Sequence, residues 1–136
     1  MILEHINWFA VAVTTVGYFA LGAIWFNPKV FGTAWGKAHK LDFNNVDKSG
    51  LGKIMAFTFI LTFISVTAVA YFIYSLGAFS AWHGAKIGLI LGCGFSSVGI
   101  AMNHLYLQKP FSVILIDTLY HVVGAIISGI ILALWR

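Results

Sequence analysis

The stretch FSVILIDTLYHVVGAIISGIILALWR, residues 111–136, decides how this chain folds. Apart from Asp117, His121 and Arg136 it is almost wholly apolar or small. It is long enough to cross a bilayer, since about 20 mainly apolar residues at 1.5 Å rise span a hydrocarbon core of about 30 Å. Asp117 and His121 are four residues apart, so a helix projects both from one face. A charged Asp at the centre of a span costs about 2.5–3.5 kcal/mol on insertion scales. Groups this costly in hydrocarbon are tied to a partner or to a function.

The rest of the sequence has the same character. Of 136 residues, 60% are hydrophobic and 9% are charged, and the mean hydropathy is +0.93. A water-soluble domain carries about 25% charged residues, so this chain lacks the polar surface a soluble globule needs. The expected fold is all-α, an integral membrane bundle of four transmembrane helices. The spans are expected at about residues 6–26, 54–76, 85–107 and 111–135, each long enough to cross with some tilt. The N-terminal residues have no basic region and no small-residue cleavage site comes after them, so the first segment reads as a retained span. The lone Cys93 excludes an intramolecular disulfide.

Punctuation supports these boundaries. Asn27-Pro28 ends the first span, because the residue before proline is pushed out of the α region. Gln108-Lys109-Pro110 turns tightly into the fourth, with Pro110 suited to a helix start. The one long connection, residues 27–53, opens with a short interfacial helix expected at about 28–41. Asn27 suits its N-cap and Pro28 its first turn. At 100° per residue Val30, Phe31, Ala34, Trp35, Ala38 and Leu41 share a face, while Lys29, Thr33, His39 and Lys40 fall elsewhere. Such a helix lies in the headgroup plane with an aromatic anchor. Residues 42–50 read as a polar, exposed loop.

Lysines set the orientation. Lys29, Lys37, Lys40, Lys48, Lys53 and Lys109 fall on the side of the long loop, and Lys86 and Arg136 on the other. Basic residues favour cytoplasmic loops. Both termini are therefore expected outside, the long loop in the cytoplasm, and the protein in the cell (inner) membrane. The lysines flank apolar spans without forming a basic domain, so nucleic acid is not an expected partner.

Two kinds of constellation stand out. Gly84, Gly88 and Gly92 recur at intervals of four, and small residues let helix backbones approach closely in lipid. The matching surface on the fourth span is expected to be its stripe of Asp117, His121, Gly124, Ser128 and Trp135, all within about 40° of one line. Thr58, Thr62 and Ser65 share a face of the second span. The second constellation is ionisable. Asp117 lies roughly 9 Å and His121 roughly 15 Å along the last helix, which places His121 near the midplane. Asn103 and His104 precede the Gln108 turn, so the hairpin brings them to the depth of Asp117. Trp8, Trp25, Trp35, Trp82 and Trp135 fall near span ends, where indoles settle at interfaces.

At Gly22-Ala-Ile-Trp25-Phe-Asn-Pro28-Lys-Val-Phe31-Gly32-Thr-Ala-Trp35 the sequence resembles a family of small bacterial membrane proteins, "domain of unknown function 1761". That family shows a similar G-x-x-W-[YF]-x-P…F-G-x-x-W signature after its first helix. Its last helix often carries an aspartate and a histidine, like Asp117 and His121 here. Phe26 stands where the family often has tyrosine. The resemblance implies four helices in one compact domain and brings no established activity.

Three readings of the cluster Asp117, His121, Asn103 and His104 remain open. These residues hold helices or subunits together by hydrogen bonds of roughly 0.6–2 kcal/mol each. Alternatively they line a proton, ion or small-solute route. Or His104, Asp117 and His121 bind a transition metal, although no clustered His/Cys motif supports that. Phosphate-binding glycine loops, nucleophile elbows and zinc-protease motifs are missing, so the reading leans away from an enzyme and expects no cofactor. The expected partners are the lipid bilayer and further copies of the chain, because so small a bundle has few internal faces for its glycine and polar stripes.

Overall fold

A computed structural model describes residues 1–42, 44–45 and 47–136; Phe43 and Val46, in the loop expected over 42–50, lie outside the described residues. The chain is an all-α membrane bundle. A single turn, α1 (Ile2–His5), precedes α2 (Trp8–Trp25), whose first turn is capped by the Asn7 side chain accepting from the Ala10 amide at 3.0 Å. A π-helical turn at Pro28–Gly32 leads into the short α3 (Thr33–Ala38). Then come α4 (Leu51–Ser75), α5 (Ala81–Leu91), a second π-helical turn at Gly92–Ser96, α6 (Ser97–Tyr106) and α7 (Phe111–Leu134). Among the described residues four stretches are long and apolar enough to span a membrane: α2, α4, the continuous Ala81–Tyr106 and α7.

The bundle is built around α7. Half of its most apolar window is buried, against 28% for α2 and α4 and 11% for the third span. Helices α2, α4, α5 and α6 all pack on α7, and α3 reaches it as well. The outer faces of α4 are apolar and bare, with Phe57 67% and Leu61 62% exposed. In water such a patch would drive association, whereas in a bilayer it meets acyl chains. A core of Ala10, Val11, Val66, Ala70, Ile73 and Leu132 fills the half of the bundle nearer the termini.

Glycine spacing explains the closest contact. A Cβ on Gly84 would overlap the Gly129 carbonyl, and one on Gly88 the Ala125 carbonyl. One on Gly92 would stand 2.9 Å from the Val122 Cα. The surface of α7 that meets these glycines is thus Val122, Ala125 and Gly129. This corrects the expectation that the Asp117–Ser128 stripe is the matching face. Gly124 instead faces the Tyr18 ring of α2, and buried Ser128 bonds back to the Gly124 carbonyl at 2.7 Å. The two faces of α7 differ by about a quarter turn, so glycines and polar residues serve different neighbours.

The π turn at Gly92–Ser96 redirects the third span. At 100° per residue His104 would lie about 120° from the Gly92 direction, away from α7. A π turn inserts roughly one residue and rotates the downstream residues by about 100° in the opposite sense. His104 therefore faces α7, while Asn103 is exposed.

The segment after α2 also departs from expectation. In place of one interfacial helix over 28–41, the chain makes the π turn, closed by the Gly32 amide on the Asn27 carbonyl at 2.9 Å, and then six residues of α-helix. Gly32 is required there, since a Cβ would overlap the Phe26 carbonyl. Lys40, at φ 56, stops the helix. The tight fold-back turns Trp35 inward, toward α7.

Candidate functional site

The polar residues of α6 and α7 meet the inward face of the 28–38 segment at the end of the bundle nearer the long loop. Asp117 is the centre. Its Oδ2 lies 2.6 Å from His104 Nε2, and its Oδ1 accepts a hydrogen bond from Trp35 Nε1 at 2.8 Å. Both side chains of the His104–Asp117 pair are mostly buried, at 14% and 16% exposure. A carboxyl group in low dielectric needs its polar atoms paired, and the Trp35 N–H on Oδ1 and the His104 imidazole on Oδ2 pair them. The Trp25 indole binds the neighbouring residue of the same helix, donating to the Ile116 carbonyl at 3.0 Å.

Aromatic side chains wall this site. Tyr120 is T-packed on Phe26 and Tyr18, with ring centroids 5.3 Å and 5.5 Å away. Gly22 is small because Tyr120 lies against it: a Cβ would stand 2.9 Å from the hydroxyl. Phe31 packs at a tilt on Trp25 with ring centroids 4.7 Å apart, and Phe26 meets Trp35 edge to face at 5.5 Å. Of the residues that carry the resemblance, Gly22, Trp25, Phe31, Gly32 and Trp35 thus all serve to bring the post-α2 segment onto residues 116–120.

His121 is one turn deeper and pairs elsewhere. Its Nδ1 is 3.0 Å from the Tyr18 hydroxyl, which is also 3.3 Å from the His121 carbonyl oxygen. The direct Asp117–His121 association suggested by four-residue spacing is replaced by two separate pairs, His104–Asp117 and Tyr18–His121. Among the described residues no set of three His, Cys, Asp or Glu side chains gathers to hold a metal.

All four sequence-derived cluster residues nevertheless line one cavity of about 430 Å³. Asn103, His104, Asp117 and His121 face it from α6 and α7, with Tyr18 from α2. Thr58, Thr62 and Ser65 close it from α4. The Thr58 and Thr62 hydroxyls bond back to the carbonyls four residues earlier, both at 2.8 Å, so they present oxygen to the cavity without fastening helices. Tyr18 and Ser65 also line a second cavity of about 280 Å³ that reaches Leu91 and Ala125. Tyr18, the partner of His121, thus borders both cavities.

Three participants are not apparent from sequence. Tyr18 reads as one more aromatic in an apolar span. Trp35 carries an interfacial signature, yet its N–H serves Asp117. His39, expected on the polar side of the interfacial helix, stacks on Trp35 at 4.4 Å and lies 6.3 Å from the His104 ring. The four-residue spacing of Trp35 and His39 is the signal that could have found the pair. Burial, with Lys109 beside it, holds the His39 imidazole below its ordinary 6.5.

Residues 9–133 match the family described as "Protein of unknown function (DUF1761)", and the chain belongs to it. No curated protein and no solved structure matches the chain.

Proposed function

We propose that this family member is a proton, ion or small-solute transport protein of the cell membrane, whose route runs through the cavity around Asp117. One observation carries the reading: Asn103, His104, Asp117 and His121, from two helices, converge on one cavity of about 430 Å³ beside a second of about 280 Å³. Carboxylate and imidazole at membrane depth mark relays and substrate routes. The packed core on the terminal side supports a half-channel that opens toward the long loop. With six basic residues on that side against two on the other, the long loop is cytoplasmic and the termini are outside. On the third span Gly94 and Gly99 have open space where a Cβ would stand, and a small-residue surface facing lipid supports close approach of a further copy of the chain.

Purified protein in vesicles, with an internal pH dye and an imposed membrane potential, tests this reading. Wild type is expected to move protons above protein-free vesicles, and Asp117→Asn to return the rate to that background. A wild-type rate equal to protein-free vesicles, repeated with alkali-cation and small-solute tracers, would sink it.

A second reading has its own observation. The Trp35–Asp117 hydrogen bond fastens the post-α2 segment to α7, as a structural or regulatory membrane protein would require. In that case Asp117→Leu and His121→Ala lower thermal stability and no flux exists to lose.

A further inference from the structure

We propose that His39 is the residue that takes protons from the cytoplasmic water and relays them through His104 to Asp117; this rests on the transport reading. Three groups stand in sequence from the surface inward. The His39 ring is half-exposed beside the long loop, the His104 ring is 6.3 Å from it, and His104 Nε2 is 2.6 Å from Asp117 Oδ2.

The nitrogens are arranged for transfer. His104 uses Nε2 on Asp117, while its Nδ1 is buried with no hydrogen-bond partner among the described residues. His39 Nε2 is likewise buried and without such a partner. An orphaned buried imidazole nitrogen loses its solvation without return, so two of them on neighbouring rings is an arrangement that a purely structural pair would avoid. As they stand both nitrogens are closed to water, so transfer requires the His39 side chain to turn and admit one water between rings whose centres are 6.3 Å apart. Imidazole takes a proton on one nitrogen and releases another from the second, as a shuttle requires.

The step balances without any oxidant or co-reactant. A proton from water bonds His39 Nδ1, and the N–H at His39 Nε2 breaks toward the bridging water. That water passes a proton to His104 Nδ1, and the N–H at His104 Nε2 breaks as Asp117 Oδ2 gains the proton. Ring rotation or return transfer restores both tautomers. The charged and titratable groups facing His39 are Lys109 on the α6–α7 turn, Asp117 on α7 and His104 on α6; Lys37 and Lys40 flank it in its own segment. Lys109 disfavours a resting positive charge on the ring and Asp117 draws one inward. A proton arriving at His39 is therefore passed on and not stored.

His39→Gln in the full chain tests the relay in the vesicle assay. The initial proton rate is expected to fall about tenfold at equal driving force, and millimolar imidazole in the outer buffer to restore about half of it. The Trp35 indole N–H resonance reports whether Asp117 is still bonded. An unchanged resonance with imidazole rescue supports the relay. A rate equal to wild type overturns it while leaving the transport reading intact. A fall that imidazole does not rescue, with the indole resonance shifted, assigns His39 a purely structural part and also overturns it. A wild type with no flux removes both the relay and the reading on which it rests.

Discussion

Asp117 has both oxygens engaged, Oδ1 by the Trp35 N–H and Oδ2 by His104 Nε2, so its two replacements should behave differently. Asp117→Asn keeps an acceptor for Trp35 and should cost little stability, while removing the charge. Asp117→Leu leaves the Trp35 N–H and the His104 imidazole unpaired in a buried place. It should destabilise the protein by about 1–3 kcal/mol, read as a lower thermal midpoint in detergent than that of Asp117→Asn. Gly124 makes the complementary case. A Cβ there would overlap the Tyr18 ring, so Gly124→Ala must push that ring away from His121. We expect a loss of about 1–3 kcal/mol, with the Tyr18–His121 hydrogen bond weakened in the imidazole NMR spectrum. At this scale the sequence pointed to the polar residues of the site through their rarity in an apolar chain. It could not pair them, because four-residue spacing says which face two residues share and nothing about which neighbour reaches that face first.

Two elements show how packing decides what periodicity leaves open. The α5 glycines meet α7 through backbone carbonyls, which cannot move aside as a flexible side chain can. Gly88→Leu should therefore separate α5 from α7 and cost several times more than Gly94→Leu, whose Cβ meets nothing within 4 Å. Comparing thermal midpoints of the two variants checks this. The Pro28–Ala38 segment is held by Trp35 and leads directly into His39, whose pKa lies below the ordinary 6.5 because burial, then Lys109, disfavour its charged form. The undocked segment thus binds the proton more readily than the docked one. Docking is favoured in full above 6.5 and weakens as pH falls from 6.5 through the depressed value. Trp35 fluorescence should report this release on acidification, and His39→Gln should flatten the dependence. The glycine spacing made the close contact of the third span legible. The π turn at Gly92–Ser96 was not, because one inserted residue changes the facing of His104 without changing the apolar character that marks a span.

For the whole molecule, the side of the membrane is the accessible question. Cys93 is the chain's one cysteine, so Cys93→Ser provides a background for single-cysteine labelling. Lys48→Cys should react with an impermeant maleimide only in broken cells, which would place the long loop in the cytoplasm; labelling of intact cells would reverse the orientation.

Composition by itself determined that this chain spans a membrane four times as helices. With 9% charged residues and no water in the bilayer core, backbone polar groups must be satisfied within each span, and helices do so. It also located the costly residues, since Asp117 and His121 have no inexpensive place in hydrocarbon. The hub position of α7, the inward turn of Trp35 and His39, and the division of the cluster into His104–Asp117 and Tyr18–His121 were decided only by tertiary structure. Each depends on which surfaces approach closely enough to exclude lipid, and that distance is set by contacts between residues as many as 103 positions apart.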